Sequence, residues 1–381
     1  MQAYIYDAVR TPRGKARAEG GLAGLKPHEL VAGLVDAMQA RGHEPRKVEA
    51  LVLGCVDQVG DQGANIALVS KLHAGVADGA YAFTLNNYCV SGLTAIGHAA
   101  MQVAAGNLDR ALAGGVEMMS RVPFLGDNAT YYTDASFPKR TRFIPVVLAA
   151  DRLAEAQGIS RGQLDAVSLA SQQRSGAAEA TPALSASRIA IGALAADECI
   201  RPQTTAASLA AMPPSFAPLA VQYAAALDGP IDHRHTIGHA PPICDGAGLA
   251  LVGGAPWTAA KPRARIMAYA ESGGDPHASL LAGFTAMERV LAKTGLTLAD
   301  MDRIEFMEAF AVTIAKFLRD WPVDAARVNV GGGQIARGHP MGASGAILVS
   351  TLLDALDAVD GRLGLVVCSG AAGVGAAMVV E

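Results

Sequence analysis

The chain has 381 residues, a length that ordinarily divides into two or three domains. Hydrophobic residues make up 51% of it, charged residues 17%, and 42 residues are glycine, which excludes disordered, collagen-like and coiled-coil proteins. The net charge of −4, from 31 basic and 35 acidic residues, provides no basic surface for nucleic acid or for an anionic membrane, so neither partner is expected.

The sequence also lacks the usual signs of membrane insertion and secretion. Glycine, proline and charged residues interrupt every apolar run before it reaches the roughly 18 residues of a membrane span. The first ten residues contain no basic region followed by an apolar segment, and the last four form no known targeting signal. We therefore expect a cytoplasmic protein. Without a CxxC pair, reduced thiols are expected at all five cysteines, Cys55, Cys89, Cys199, Cys244 and Cys368.

Strand and helix patterns alternate in the first third of the chain and again in the last third. Short apolar strands are predicted at 50–53 and 110–113, and alanine-rich helices at 30–40 and 93–105. The alternation predicts an α/β fold. Strand patterns return later in the chain at 248–252, 264–268, 302–306, 327–330 and 364–367.

The middle of the chain differs in composition from the two ends. Proline, arginine and tyrosine accumulate there and strand patterns become rare, although 164–178 has the pattern of a helix. This change predicts an inserted domain or long loop. On either side of it, a Ser-Gly pair precedes an apolar helix, at Ser91-Gly92 and at Ser344-Gly345. The repeat indicates two similar halves.

The segment 86–93 places Cys89 where a helix is predicted to begin. The positive end of the helix dipole and the free N–H groups there favour a thiolate, which would suit a nucleophile. An unpaired cysteine is also commonly a small buried hydrophobic residue, and the segment alone leaves both interpretations open.

Two later segments carry further candidate groups. Proline after His339 favours an extended conformation within a glycine-rich turn, so the imidazole is held rigidly as an acid, base or hydrogen-bond donor. A solvated turn is the plain alternative, and the phosphate-loop pattern is incomplete. Cys368 ends a predicted buried strand before a turn whose N–H groups are suited to an oxyanion. One cysteine that attacks a carbonyl and another that moves a proton would account for both thiols.

Taken together, these motifs resemble the thiolase family. The resemblance rests on their order and spacing over nearly the whole chain, at 88–92, Glu308-Ala309-Phe310, 332–346 and Cys368-Ser369-Gly370. It implies a thiolase-like five-layered αβαβα fold made of two similar halves with an inserted loop domain. The implied domains are an N-terminal half at 1–118 with 238–260, a loop domain at 119–237 and a C-terminal half at 261–381.

The resemblance also implies a reaction on coenzyme A (CoA) thioesters. A 3-oxoacyl-CoA is cleaved by CoA, or two acyl-CoA molecules condense in the reverse Claisen direction. Acyl-CoA and CoA are then substrates, no metal or resident cofactor is required, and the protein is expected to be a homodimer or homotetramer.

Residue roles follow from the same resemblance. Cys89 is the acylated nucleophile, His339 activates it, and Cys368 protonates or deprotonates the acetyl-CoA carbon. The backbone N–H groups of Cys89 and Gly370 form an oxyanion hole, and His339 contributes to a second one for the enolate. Contacts with the substrate are expected from Phe216, Ile243, Met307, Ala309 and Phe310.

One departure from the family pattern bears on the chemistry. Met307 stands where the family usually has asparagine, which holds a water that polarises the thioester oxygen. Loss of an oxyanion donor lowers a rate by roughly 10²–10³-fold, so Met307→Asn is expected to raise cleavage. Two alternatives stay open: acyl transfer to another acceptor, and a noncatalytic thiolase-like scaffold, although the scaffold would be expected to lack Cys89 or His339.

Other polar residues allow two interpretations each. His233, His235 and His239 have a spacing that metal ligands can have, but solvated loop histidines are the simpler expectation. A cationic turn at 139–142, containing Lys139, Arg140 and Arg142, fits either the phosphates of CoA or an ordinary charged surface.

Overall fold

The computed structural model describes residues 2–254 and 260–381. Within these residues the strands are β1 Ala3–Arg10, β2 Gly14–Lys15, β3 Ala50–Gly54, β4 Tyr81–Leu85, β5 Arg110–Met118, β6 Cys244–Gly253, β7 Ala264–Gly273, β8 Arg303–Phe306, β9 Gly364–Ser369 and β10 Val374–Val380. The α-helices are α1 Pro27–Ala40, α2 Ile66–Ala74, α3 Ser91–Ala104, α4 Val146–Ala156, α5 Arg161–Glu179, α6 Ala206–Ala210, α7 Ala217–Gln222, α8 Ala282–Thr294, α9 Ala311–Asp320, α10 Gln334–Arg337 and α11 Ser344–Asp357.

The strands follow the order β4-β3-β5-β6-β1-β7-β10-β9-β8, with β2 paired to β6. The first five belong to the N-terminal half and the last four to the C-terminal half, and β1 and β7 join the halves as antiparallel neighbours. Beyond β8, a parallel bridge between Ile304 and Val328 occupies the place that β4 has in the first half. The two halves therefore share one strand order, as the Ser-Gly repeat predicts.

The strand predicted at 327–330 is wrong, because only this bridge forms there. Asn329 adopts a left-handed conformation with φ of 47°, which a continuous strand does not allow. Its side-chain amide takes over the pairing with β8: Oδ1 accepts from the Phe306 N–H at 2.8 Å, and Nδ2 donates to the Phe306 carbonyl at 2.9 Å. The other predicted strands and helices are confirmed, with boundaries shifted by one to five residues.

Together with the two halves of the sheet, the helices form five layers. α1 and α2 cover the outer face of the N-terminal half, while α8 and α9 cover the outer face of the C-terminal half. α3 and α11 pack together between the two halves and share the largest buried core with both. The predicted αβαβα fold with an inserted domain is confirmed.

Glycine allows the central helices to approach each other closely. A Cβ on Gly92 would lie 2.8 Å from the Gly342 carbonyl oxygen, and one on Gly345 would lie 2.5 Å from the Leu93 nitrogen. Both contacts are closer than a real Cβ tolerates, so only glycine fits at these two positions. Helices α3 and α11 of the two halves therefore cross where the two Ser-Gly pairs lie. The N-termini of α3 and α11 thereby meet beside the loops that carry Cys89 and His339.

Helices α4 to α7 form the inserted domain between β5 and β6. A small apolar cluster around Val147, Leu148 and Leu227 holds it together, with Phe216 and Leu219 packed against that cluster. The predicted N-terminal half extends to residue 260, and its segment 255–259 lies outside the described residues. In the described part of the chain, no helix has both the length and the apolar character needed to cross a membrane.

Candidate active site

A cavity of about 300 Å³ lies where the two halves meet the inserted domain. Cys89, His339 and Gly370 all line it, although they come from three distant segments of the chain. The site is therefore assembled at the ends of elements from both halves, covered by residues of α4 and α7.

Cys89 projects from a strained turn that directly precedes α3. Tyr88 has φ of 48°, a left-handed conformation that is rare for a bulky residue and is common at functional sites. The turn is held by the Asn86 side chain, which accepts from the Tyr88 N–H at 2.9 Å. Ser91 Oγ accepts from the Asn87 N–H at 2.8 Å and donates to the Tyr88 carbonyl at 2.6 Å. Cys89 thus lies two residues before the first helical residue, rather than within the first turn.

Burial raises the pKa of the Cys89 thiol to about 12. The N–H of Ala371 and that of Cys89 itself interact with the sulfur and oppose this rise, whereas the charge of Glu117 adds to it. The expectation that the helix end favours a thiolate is wrong, because loss of water contact outweighs the nearby N–H groups. At neutral pH Cys89 is a thiol and requires a base during attack.

This pKa predicts the pH dependence of Cys89 alkylation. The thiolate is the reactive form, so below the pKa its fraction rises about tenfold for each pH unit. We expect the rate constant for iodoacetamide to keep rising from pH 7 to pH 10, measured by peptide mass spectrometry with Cys89→Ser as the unreactive control. A plateau beginning near pH 8 would contradict the raised pKa.

His339 is buried and is held from one side only. Its Nδ1 lies 2.7 Å from Ser344 Oγ, at the first residue of α11, and its Nε2 has no hydrogen-bond partner among the described residues. Burial, together with the charge of Arg13, lowers the pKa of His339 to about 3. The imidazole is therefore neutral. In the tautomer whose Nδ1–H donates to Ser344 Oγ, Nε2 carries a lone pair that can accept a proton.

Two buried carboxylates fix the loop on both sides of His339. Glu308 accepts from the Ile335 N–H at 3.1 Å and from the Ser171 hydroxyl at 2.6 Å. Glu117 accepts from the Gly342 N–H at 3.0 Å. Both carboxylates thus position the loop that carries His339, and neither lines the cavity.

Cys368 is the next-to-last residue of β9 and has no exposed surface. Burial raises the pKa of its thiol well above the usual value, and the Cys89 sulfur adds to the rise. Cys89 packs against the core cluster that contains Cys368, and the next two residues, Ser369 and Gly370, line the cavity although Cys368 does not. A thiol that stays protonated at neutral pH is suited to donate a proton to a carbanion.

The structure differs from the expected oxyanion hole at one residue. The Gly370 N–H already donates to the Val374 carbonyl at 2.9 Å, so it is not free. The N–H that approaches the Cys89 sulfur belongs to Ala371, which the sequence analysis missed. The conformation of the turn 369–373, in which Ala372 is left-handed with φ of 54°, decides which N–H faces Cys89. No signal in the sequence distinguishes the N–H of Gly370 from that of Ala371.

The expected substrate contacts lie on the cavity wall with one exception. Phe216, Ile243, Ala309 and Phe310 all line the cavity. Met307 does not line it; its side chain is fully buried in the central core, in the same cluster as Cys368. Like Cys368, Met307 therefore lies behind the cavity surface, and its contact with the substrate stays a prediction.

This placement changes the expected effect of Met307→Asn. An amide in the apolar core loses its hydrogen bonds to water without gaining partners, at a cost of about 1–3 kcal/mol. We expect a lower free energy of unfolding in urea and no gain in 3-oxoacyl-CoA cleavage, with Met307→Leu as the control of similar volume. Faster cleavage by Met307→Asn would show that the side chain reaches the reacting atoms.

Two of the three loop histidines are fully buried, contrary to expectation, and the third, His233, is partly exposed. His235 is fully buried with Nδ1 2.7 Å from Asp151 Oδ1, and His239 is fully buried with Nε2 2.7 Å from Asp165 Oδ1. His233 Nδ1 lies 2.8 Å from Asp151 Oδ2. The pairs attach the segment containing wall residue Ile243 to α4 and α5. Within 2–254 and 260–381, no cluster of three or more histidine, cysteine or acidic residues could hold a metal ion.

Two similar halves, with a cavity at their junction that is lined by Cys89 and His339, are what the sequence led us to expect of an acyltransferase. Family models agree with this class. The N-terminal domain of thiolase matches residues 3–253, and the C-terminal domain of thiolase matches residues 260–381. The chain belongs to the thiolase family, and it is an acyltransferase.

Individual relatives match along the whole chain. A beta-ketoadipyl-CoA thiolase of Escherichia coli is 34% identical, covering 100% of this chain and 99% of the relative. A 3-ketoacyl-CoA thiolase of Shewanella baltica is also 34% identical with the same coverage. Among solved structures, human mitochondrial 3-ketoacyl-CoA thiolase has a TM-score of 0.88 and the Bacillus anthracis acetyl-CoA acetyltransferase one of 0.87. Each of these two structures is 28% identical to this chain, and the match covers 100% of this chain and 98% of the solved chain.

Proposed function

We propose that this thiolase cleaves 3-oxoacyl-CoA with CoA, and catalyses the reverse condensation, through an acyl-Cys89 intermediate. One observation carries the proposal: Cys89 lines the same cavity as a neutral His339 whose Nε2 has no partner in the described chain. A cysteine that shares a cavity with a neutral imidazole has a base within the same site, and an adjacent base is one of the ways in which a nucleophilic thiol is activated.

In the cleavage direction, Cys89 attacks the 3-oxo carbon while its proton passes to His339 Nε2. The backbone N–H groups of Cys89 and Ala371 are placed to stabilise the resulting oxyanion. Collapse of the adduct breaks the bond between C2 and C3, and the electron pair of that bond remains on C2. Cys368 donates its proton to C2, which releases acetyl-CoA and leaves the acyl group on Cys89.

The second half of the cycle returns the groups to their starting state. The thiol of a new CoA attacks the acyl-Cys89 carbonyl, and the sulfur of Cys89 leaves and is reprotonated through His339. The proton that the new CoA thiol loses as it attacks passes to the thiolate of Cys368, so that all three groups return to their starting protonation states. No metal or resident cofactor takes part in these steps, since CoA enters as a substrate.

The competing proposals have less support. Acyl transfer to another acceptor was suggested by Met307, whose side chain is fully buried and does not line the cavity. A noncatalytic scaffold would not require the tight positioning of His339 by Ser344. We therefore retain 3-oxoacyl-CoA cleavage as the function.

The proposal is tested with acetoacetyl-CoA and free CoA, following the loss of 3-oxothioester absorbance in the ultraviolet. We expect turnover with CoA and none without it. Stable acylation of Cys89 from acetyl-CoA without any carbon–carbon cleavage would instead support transfer to another acceptor.

We also propose that the protein is a homo-oligomer, with a dimer formed across β4. This strand ends the sheet order, and edge strands offer unpaired backbone groups to a second chain. Tyr81 on β4 and Leu68 and Leu72 on α2 are exposed, with Leu72 at 64%.

We further propose that the protein is cytoplasmic. Its five free thiols support this location.

Leu72→Glu is expected to weaken this dimer. A charge in the apolar patch would lose its water on association, whereas the exposed side chain leaves the monomer fold unaffected. Sedimentation velocity should show a dimer or tetramer for the unchanged protein and a shift toward monomer for the variant. Val221→Glu, at another exposed position, is the matched control. Identical sedimentation of both variants would place the interface elsewhere.

A further inference from the structure

The cavity wall is almost entirely apolar. None of the described lysine, arginine, aspartate or glutamate residues lines it, and its polar side chains are those of Cys89, His339 and Ser369. Ser369 Oγ already donates to the Leu280 carbonyl at 2.9 Å. The wall therefore offers an acyl chain apolar contact and provides no cationic partner for a charged group.

Two cations of the cationic turn in the inserted domain are engaged with other groups. Lys139 pairs with Asp228 at 3.2 Å. The guanidinium of Arg142 donates to the carbonyls of Phe137, Ala225 and Ala135 at 2.6–3.0 Å. Arg13, whose charge reaches His339, is buried and does not line the cavity. A carboxylate of the substrate on the cavity wall would therefore remain unpaired.

The ionisable groups on the Cys89 side of the cavity are acidic. Glu117 acts on the Cys89 sulfur, and Asp127 acts on the adjacent Tyr88 hydroxyl. Asp57 lies near both and is fully buried, and burial raises its pKa to about 7, so it is only partly ionised at neutral pH. These acidic groups disfavour a carboxylate that enters the site with the acyl chain and supply it with no cation.

From this wall and these charges we infer that the acyl group is an uncharged hydrocarbon chain and that 3-oxoacyl-CoA substrates with a terminal carboxylate are rejected. The inference rests on the proposed function and specifies its substrate class. It distinguishes this chain from the relatives named for beta-ketoadipyl-CoA, whose acyl chain ends in a carboxylate. Burial of an unpaired carboxylate opposes binding strongly, whereas a methyl group at the same position gains apolar contact.

A matched pair of substrates tests the inference. 3-Oxohexanoyl-CoA and 3-oxoadipyl-CoA have the same acyl length and differ only in a terminal methyl or carboxylate. We expect kcat/KM to be at least about 100-fold higher for 3-oxohexanoyl-CoA, in line with the cost of an unpaired buried charge. Equal values, or a preference for 3-oxoadipyl-CoA, would overturn the inference.

Two further measurements separate this result from the proposed function. Acetoacetyl-CoA serves as the activity control, so failure with all three substrates would contradict the proposed function itself. Binding of hexanoyl-CoA and adipoyl-CoA, measured by calorimetry, needs no turnover. Tighter binding of hexanoyl-CoA supports the substrate class, and equal binding contradicts it.

A variant tests whether the missing cation is the cause. Phe124 lines the cavity and is 49% exposed, so arginine can replace it without being fully buried. Phe124→Arg should raise the ratio of 3-oxoadipyl-CoA to 3-oxohexanoyl-CoA cleavage at least about tenfold relative to Phe124→Gln, as expected of a charge pair in a partly dry site. An unchanged ratio would contradict the lack of a cation as the reason for rejection.

Discussion

Cys89→Ala is expected to reduce kcat for 3-oxoacyl-CoA cleavage by at least about 10³-fold, because no acyl-enzyme can form without the sulfur. Cys89 lies at a tight turn on the cavity wall, and alanine keeps the Cβ, so the fold should be retained. Steady-state kinetics and thermal unfolding of the same preparation check both expectations.

Cys199→Ala is the matched control for this change. Cys199 is another unpaired cysteine, but it is buried and does not line the cavity. The Cys199→Ala enzyme should retain most of its cleavage activity. If Cys89→Ala also kept substantial activity, a different nucleophile would be required and the proposed mechanism would fail.

His339→Asn is expected to lower kcat/KM by about 10²–10⁴-fold, the usual contribution of a general base. Asparagine can still bond Ser344, so positioning is largely kept while the basic Nε2 is lost. In the unchanged enzyme, burial holds the pKa of His339 at about 3, and the base is active in its neutral form above that pH. The decrease of kcat/KM that protonation of His339 causes should therefore be centred near pH 3. We expect no decrease of kcat/KM from this residue between pH 7 and pH 5.

Ser344→Ala separates positioning from proton transfer. It removes the hydroxyl 2.7 Å from Nδ1 but leaves the imidazole in place, so a smaller loss of kcat/KM than that of His339→Asn is expected.

The pH profile of the unchanged enzyme checks the state of the imidazole itself. A decrease of kcat/KM near pH 6.5 that depends on His339 would contradict its buried, neutral state.

The sequence was sufficient to predict the duplicated architecture, and two of the residues that it singled out, Cys89 and His339, line one cavity. Cys89, His339 and Cys368 belong to motifs in which glycine and proline restrict the backbone, so their local setting is largely encoded nearby in the chain. The Ser-Gly repeat likewise indicated two halves, since the same close helix crossing is needed twice.

The remaining differences depend on contacts between distant residues. The burial of His235 depends on Asp151, which is 84 positions away, and no local pattern predicts that pair. Met307 follows a buried strand, and its side chain enters the core instead of the cavity. The free N–H belongs to Ala371 rather than Gly370 because Val374 already occupies the glycine N–H.

The central claim is that Cys89, His339 and Cys368 act together on a single substrate carbon chain. Peptide mass spectrometry of enzyme quenched in acid during turnover of acetoacetyl-CoA tests it most directly. We predict an acetyl group on Cys89 alone, present in the unchanged enzyme and strongly reduced in His339→Asn. Acetyl on another residue, or none at all while cleavage proceeds, would contradict the account.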